Sequence, residues 1–163
     1  MSESNEVLKQ IRLSHIEIES ILQSIAARIP QNFCFKCTEV CCKEEICRES
    51  IESPFLNFIL GDHKSNYSQT DGWLNKSTGC TTVIGRPLIC YEFFCQQFDS
   101  NSVSSRLHQF AVSLKKIYSN AYKKQNILVV DDLSLIPLKK LKGILLKLNQ
   151  LKVVISSYES QDE

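Results

Sequence analysis

The chain has 163 residues, of which 43% are hydrophobic and 23% are charged, and its formal net charge is +1 at pH 7. A chain of this length buries about two thirds of its unfolded surface, so it can form one domain with an apolar core. The composition is close to the globular average and does not fit the disordered, collagen-like or membrane-protein classes. The nearly balanced charge gives no general attraction to nucleic acid or to anionic lipid.

The N-terminal segment predicts a cytoplasmic location. Its first twenty residues carry acidic and polar side chains and lack the basic start, apolar stretch and small-residue cleavage site of a secretory signal. No stretch of the chain approaches the roughly twenty consecutive apolar residues that a membrane-spanning helix needs. We therefore expect a compartment that keeps cysteine thiols reduced.

Three long amphipathic segments predict a mainly α-helical protein that forms a single domain over residues 1–163. In each segment apolar residues recur every three or four positions, as on one face of a helix. The predicted helices span residues 4–29, 102–124 and 137–153. In the first of them, charged residues such as Glu17 and Glu19 are assigned mostly to the polar side. Pro30 is expected to end that helix, because the residue before a proline is pushed out of helical geometry.

Shorter features are predicted between and after the long helices. Ser53 as a cap and Gly61 as a terminator frame a short apolar helix that begins with a proline. The following polar stretch, residues 62–78, is predicted to be an exposed loop anchored by Trp73. The tail from Ser156 onward is polar and is expected to fray.

Eight cysteines are the unusual feature of the composition, and all of them lie within residues 33–98. In a small secreted domain an even number of cysteines indicates a disulfide framework. A reducing compartment instead favours metal ligation, although free cysteines can also serve as small buried hydrophobic residues. Because this segment has the weakest helical periodicity, we predict a small helical domain with an irregular, cysteine-rich, metal-binding insert.

The first cysteine cluster has the pattern C-x2-C-x3-C-C and consists of Cys34, Cys37, Cys41 and Cys42. Two cysteines separated by two residues can bind one metal, because a tight turn brings their sulfur atoms together. On a straight helix, Cys34 and Cys41 would lie about 10 Å apart along the axis, which is too far for one zinc ion. The segment is therefore expected to bend, or to serve two metals or an iron–sulfur cluster.

The second cluster consists of Cys80, Cys90 and Cys95. Arg86 lies between the first two of these cysteines and supplies positive charge near their thiolates. Four thiolates on a divalent metal leave a net negative charge, which surrounding groups must offset. We therefore predict that Arg86 supports the ligands without binding the metal itself.

Together the two clusters resemble the signature of a zinc- or iron-chelating cysteine-cluster family. That signature begins C-x2-C-x2-C-C and ends with a cysteine, five residues, Arg-Pro, two residues and a cysteine. Its second half matches this chain at Cys80, Arg86, Pro87 and Cys90. Its first half matches the four cysteines of the first cluster, but this chain has one extra residue before the adjacent pair.

The resemblance spans residues 33–98 and implies metal chelation through thiolates. The ligands that it implies are Cys34, Cys37, Cys41, Cys42, Cys80 and Cys90, with Cys95 added from a similar aromatic-rich continuation. Cys47 matches no position of the signature and is predicted to be a core or auxiliary residue. Thiolate ligands suit zinc and iron–sulfur clusters equally, so the cofactor is predicted as one of these two.

Three functions fit these patterns. The first is a metal-binding protein in which the site holds the irregular segment against the helices and presents a surface for a protein partner. The second is an iron–sulfur redox protein or enzyme of unknown substrate. The third is a metal-free thiol redox switch, suggested by the adjacent pair Cys41-Cys42.

Other polar residues receive structural interpretations. His15 and His108 fall on predicted long helices, outside both clusters, and are predicted to be surface or packing residues. Asp131 and Asp132 are predicted to form an acidic turn before the last helix, where negative charge meets the positive end of the helix dipole. The alternative interpretation of this pair is two carboxylates for acid–base chemistry.

Overall fold

The computed structural model describes residues 2–28, 44–61, 67–75, 79–92, 102–122 and 132–161. The elements in chain order are α1 (Glu3–Ala27), α2 (Glu44–Glu52), α3 (Pro54–Leu60), β1 (Leu74–Asn75), β2 (Gly79–Cys80), α4 (Ile89–Glu92), α5 (Ser102–Tyr122), a 3-10 turn (Leu133–Leu135) and α6 (Leu138–Gln161). The predicted mainly helical character is confirmed. Among the described helices, none combines the length and the apolar character needed to cross a bilayer.

Helix α1 begins where the sequence predicts a helix. Ser2 caps it, because its side chain accepts a hydrogen bond from the backbone N–H of Asn5. The helix ends at Ala27, two residues before the predicted end, and residues 29–43 lie outside the described ranges. Its apolar face includes Ile11 and Ile18, which are fully buried.

The core lies where α1, α5 and α6 meet. Helix α1 packs along α6, and α5 packs against both of them. The fully buried apolar residues of this core include Ile11, Ile18, Leu22, Leu107, Ala111, Leu114, Leu148 and Ile155. Burying one side chain of leucine or isoleucine size stabilises a fold by roughly 1.5–3 kcal/mol. The three helices therefore form a framework on which the cysteine-rich segment can rest.

Helix α6 is longer than predicted. The sequence predicted an end near residue 153 and a frayed tail from Ser156, but the helix continues to Gln161. Ile155 is fully buried in this extension. One turn further, the Tyr158 ring packs edge-on against Phe110 of α5 at 5.6 Å between ring centres. The predicted fraying is therefore wrong, because two apolar side chains anchor an otherwise polar last part of the helix.

Within the cysteine-rich segment, Ser53 caps α3 as predicted, accepting a hydrogen bond from the Leu56 backbone N–H at 3.3 Å. Trp73 is the predicted anchor of the polar stretch, and only 3% of it is exposed. Its indole N–H donates to the Ser50 hydroxyl of α2 at 2.6 Å. The tryptophan therefore ties the chain before the hairpin to α2.

Strands β1 and β2 form a short antiparallel hairpin that fixes Cys80. Leu74 pairs with Cys80 in this register. The pairing continues beyond β2, where the Trp73 carbonyl accepts hydrogen bonds from the backbone N–H and the hydroxyl of Thr81, at 2.7 Å and 2.8 Å. Cys80 is thus held by the same tryptophan that anchors the preceding loop.

Candidate metal centre

The structure describes two of the seven predicted metal ligands, Cys80 and Cys90, and both are partly exposed. The other five lie outside the described ranges: Cys34, Cys37, Cys41, Cys42 and Cys95. Within the described part of the chain, no three or more histidine, cysteine, aspartate or glutamate side chains come close enough to hold a metal ion. The convergence of the two cysteine clusters therefore stays a prediction.

Cys80 and Cys90 delimit a loop that has Arg86 at its centre. Cys80 ends β2, and Cys90 lies in the first turn of α4, where its N–H donates to the Pro87 carbonyl at 2.9 Å. We call residues 80–90 the cysteine loop. Only 5% of Arg86 is exposed, and its Nη2 donates to the Thr82 carbonyl at 2.9 Å. The backbone of the cysteine loop therefore binds and buries the side chain of Arg86.

The buried guanidinium of Arg86 remains positively charged. Burial alone disfavours the charge, but the neighbouring acidic groups of Tyr91, Cys80, Cys90 and Glu19 raise the pKa of Arg86 above its ordinary value. The guanidinium carbon also lies 5.6 Å from the centre of the Tyr91 ring, a cation–π arrangement. The positive charge of Arg86 therefore interacts with both cysteines of the loop.

Glu19 of α1 fixes the middle of the cysteine loop. Its Oε2 accepts a hydrogen bond from the Gly85 N–H, and its Oε1 accepts one from the Arg86 N–H, both at 2.7 Å. The Tyr91 hydroxyl donates to the same Oε1 at 2.9 Å. We call this arrangement the Glu19 clamp. Because two of the groups that donate to Glu19 are backbone amides, the clamp fixes the backbone conformation of the loop.

Sequence reasoning missed this residue, since it assigned Glu19 to the polar side of α1, whereas only 1% of it is exposed. The position follows Ile11 and Ile18 and precedes Leu22 on the buried face of the helix. Helical spacing from these apolar residues was the signal that could have placed Glu19 in the interior. The identity of its partners could not be deduced from that spacing.

The charges in the clamp depend on burial. Burial raises the pKa of Glu19, while hydrogen bonds from Arg86, Gly85 and Tyr91 and the charge of Arg86 act in the opposite direction. Burial also raises the pKa of Tyr91 well above its ordinary value, and the nearby Glu19 adds to this effect. Tyr91 therefore remains a neutral hydroxyl that donates to the carboxyl group.

A second residue of α1 supports the same loop one turn further along the helix. The Gln23 side-chain amide donates to the Tyr91 hydroxyl at 3.2 Å and also to the Val83 carbonyl. On its other side the loop packs against α3, where Gly85 contacts the buried side chain of Leu60. The cysteine loop is therefore held between α1 and α3.

His15 lies one turn before Glu19 and is fully buried, which confirms the packing interpretation, whereas His108 is exposed. The Nδ1 of His15 is 2.8 Å from the Tyr118 hydroxyl, and its Nε2 is 3.9 Å from Glu19 Oε2. Within the described ranges, no hydrogen-bond partner is found for Nε2. Burial lowers the pKa of this histidine to about 4.

Because His15 is buried in its neutral form, we expect the protein to lose stability in acid. An unfolded histidine takes up a proton near pH 6.5, whereas the buried imidazole does so only near pH 4. Between these two pH values the unfolded state binds more protons than the folded state. The contribution of His15 to the free energy of unfolding therefore falls as the pH drops from 6.5 to 4, by roughly 3 kcal/mol in total. We expect His15→Gln to remove this loss, as measured by urea unfolding at several pH values.

The comparison between wild type and His15→Gln is needed because Glu19, with its raised pKa, acts in the opposite direction and remains in both proteins. His108→Gln removes an exposed histidine and is the matched control. If the free energies of unfolding of wild type and His15→Gln changed in parallel with pH, the assignment to His15 would be wrong.

Cys47 of α2 is half-buried and packs against a neighbouring loop without belonging to the apolar core. A methyl group on Gly72 would lie 2.7 Å from Cys47 Cβ and 3.0 Å from its Sγ, so the cysteine fills the space beside this glycine. The Ser50 hydroxyl donates to the Cys47 carbonyl at 2.6 Å. This cysteine therefore packs α2 against the chain that precedes Trp73.

Asp132 has a structural role, as the sequence predicted for the acidic pair, but it acts at the 3-10 turn and not at the start of α6 itself. Its Oδ1 accepts a hydrogen bond from the Ser134 N–H at 2.8 Å and caps the 3-10 turn before α6. Asp131 lies outside the described ranges.

Comparison of the chain with protein-family models, with curated proteins and with solved structures found no match.

Proposed function

We propose that this chain is a cytoplasmic metal-binding protein that holds zinc or an iron–sulfur cluster through cysteine thiolates of both clusters. The observation that supports the proposal most strongly is the environment of Cys80 and Cys90. Both cysteines interact electrostatically with the buried guanidinium of Arg86 and raise its pKa. The resemblance to the cysteine-cluster family implies that both cysteines are ligands, and the charge argument made from the sequence assigns Arg86 a supporting role.

The residues present fit a thiolate-bound metal. Thiolates are the soft ligands that zinc and iron–sulfur clusters share. Cys80 and Cys90 are partly exposed, so a metal could reach them, and the buried positive charge of Arg86 would offset the surplus negative charge of a thiolate site. The ligands proposed to complete the site are Cys34, Cys37, Cys41, Cys42 and Cys95. A metal bound by both clusters would tie the irregular segment to the helical framework.

Metal analysis and an absorption spectrum of the full chain, purified without oxygen, test this proposal. Stoichiometric zinc in a colourless sample would identify a zinc protein. Iron and sulfide with a visible absorption band would identify an iron–sulfur protein and favour a redox role. A metal-free sample in which all eight thiols react freely would overturn the proposal and support a thiol switch.

A further inference from the structure

We propose that Glu19 is a positioning residue for the metal site, and that it holds the cysteine loop in its ligand-binding conformation before any metal binds. This inference rests on the proposed function. It adds a residue of α1 that lies far from both cysteine clusters in the sequence and whose side chain acts on the backbone of the loop.

The geometry of the Glu19 clamp supports this role. The two carboxyl oxygens accept from the amides of two consecutive residues, Gly85 and Arg86, at equal distances of 2.7 Å. Hydrogen bonds to a carboxylate are roughly twice as strong as neutral ones, and a buried environment strengthens them further. The clamp therefore fixes both the position and the orientation of the peptide between these residues.

The same carboxyl group also controls the end of the loop. The Tyr91 hydroxyl donates to Glu19 Oε1, and Tyr91 directly follows the predicted ligand Cys90. Glu19 thus joins the middle of the loop to the residue beside one ligand. Fixing the Arg86 backbone also limits where its buried guanidinium can lie within the loop.

If the loop is ordered before the metal binds, the entropic cost of ordering it is not added to the free energy of metal binding. A buried carboxyl group is also costly to keep away from water unless its hydrogen bonds are made. Glu19 makes three of them, and all three come from the segment 85–91. These three hydrogen bonds therefore order the segment 85–91, and this order should already be present in the metal-free protein.

Glu19→Gln tests the proposal, with Glu17→Gln as the matched control. A glutamine at position 19 presents an N–H group where a second acceptor is needed, so one loop amide loses its partner. Glu17 lies on the same helix, but it is exposed and pairs with Lys152. We expect Glu19→Gln to raise the Kd for Zn²⁺ titrated into the metal-free full chain about 10–100-fold. Glu17→Gln should leave that Kd unchanged.

Amide hydrogen exchange in the metal-free protein gives a readout that is independent of metal. The amides of Gly85 and Arg86 should exchange slowly in wild type and in Glu17→Gln, and quickly in Glu19→Gln. If wild type binds Zn²⁺ and Glu19→Gln binds it equally tightly, the positioning role is overturned and the proposed function stands. If wild type binds no metal, the proposed function fails, and the exchange rates alone decide whether Glu19 orders the loop.

Tyr91→Phe provides a second variant in case Glu19→Gln does not fold. It removes one donor to the clamp and leaves the carboxyl group and both backbone donors in place. We expect the Kd for Zn²⁺ to rise about fivefold, the loss expected for one hydrogen bond. An unchanged Kd together with unchanged exchange of the Gly85 amide would overturn the proposal.

Discussion

Replacement of both Cys80 and Cys90 by serine is expected to abolish stoichiometric metal binding while the helical framework stays folded. A serine hydroxyl stays protonated at neutral pH and is a poor ligand for metals that prefer thiolates. Both positions are partly exposed and lie outside the core formed by α1, α5 and α6, so the substitution removes little packing. Metal content after anaerobic purification and far-ultraviolet circular dichroism measure the two parts of this prediction.

Cys47→Ser is the matched control, because Cys47 packs beside Gly72 and matches no ligand position. This variant should retain the metal content of wild type. A double Cys41→Ser, Cys42→Ser variant tests the first cluster separately. If the Cys80, Cys90 double variant kept the full metal content, those two cysteines would not be ligands. If the Cys41, Cys42 variant kept the full metal content while the Cys80, Cys90 variant lost it, the proposed convergence of the two clusters on one metal would be wrong.

The helical framework was largely predictable because its signal is local. Apolar residues at three-to-four spacing predicted α1, α5 and most of α6, and Ser53 predicted the start of α3. The end of α6 was missed because its last turns are rich in serine and acidic residues. The packing of Tyr158 against Phe110 of α5 and the pairing of Arg28 at the end of α1 with Glu159 hold these turns in place. Such contacts have no counterpart in the local sequence.

In the candidate site, too, the features encoded by a local motif were predictable and the contacts between distant residues were not. The Cys80, Arg86 and Cys90 group belongs to one short motif, so the sequence indicated it directly. The Glu19 clamp joins residues that are 66 positions apart, and a glutamate on an amphipathic helix is ordinarily assigned to solvent. Its burial is tolerable only because backbone amides of the cysteine loop complete its hydrogen bonds. A single sequence cannot show such a pairing.

The shape of the cysteine loop depends on Gly85, and Gly85→Ala is expected to destabilise the protein by roughly 2–4 kcal/mol. Gly85 has a φ of +71°, a conformation that alanine adopts only with strain. A methyl group there would also lie 2.5 Å from Cγ of Leu60 and 3.4 Å from its backbone nitrogen. Leu60 is 1% exposed, so its side chain has little room to move.

Gly143→Ala is the matched control for this substitution. Gly143 lies within α6, and a methyl group there would meet nothing within 4 Å beyond its chain neighbours and the backbone of its own helix, so we expect a gain of up to about 1 kcal/mol from the higher helix propensity of alanine. Urea unfolding of the two variants measures both effects. Because the Gly85 N–H donates to Glu19, displacement of the loop should also weaken Zn²⁺ binding in Gly85→Ala. Equal stability of the two variants would show that the loop is not held against α3 as the structure describes.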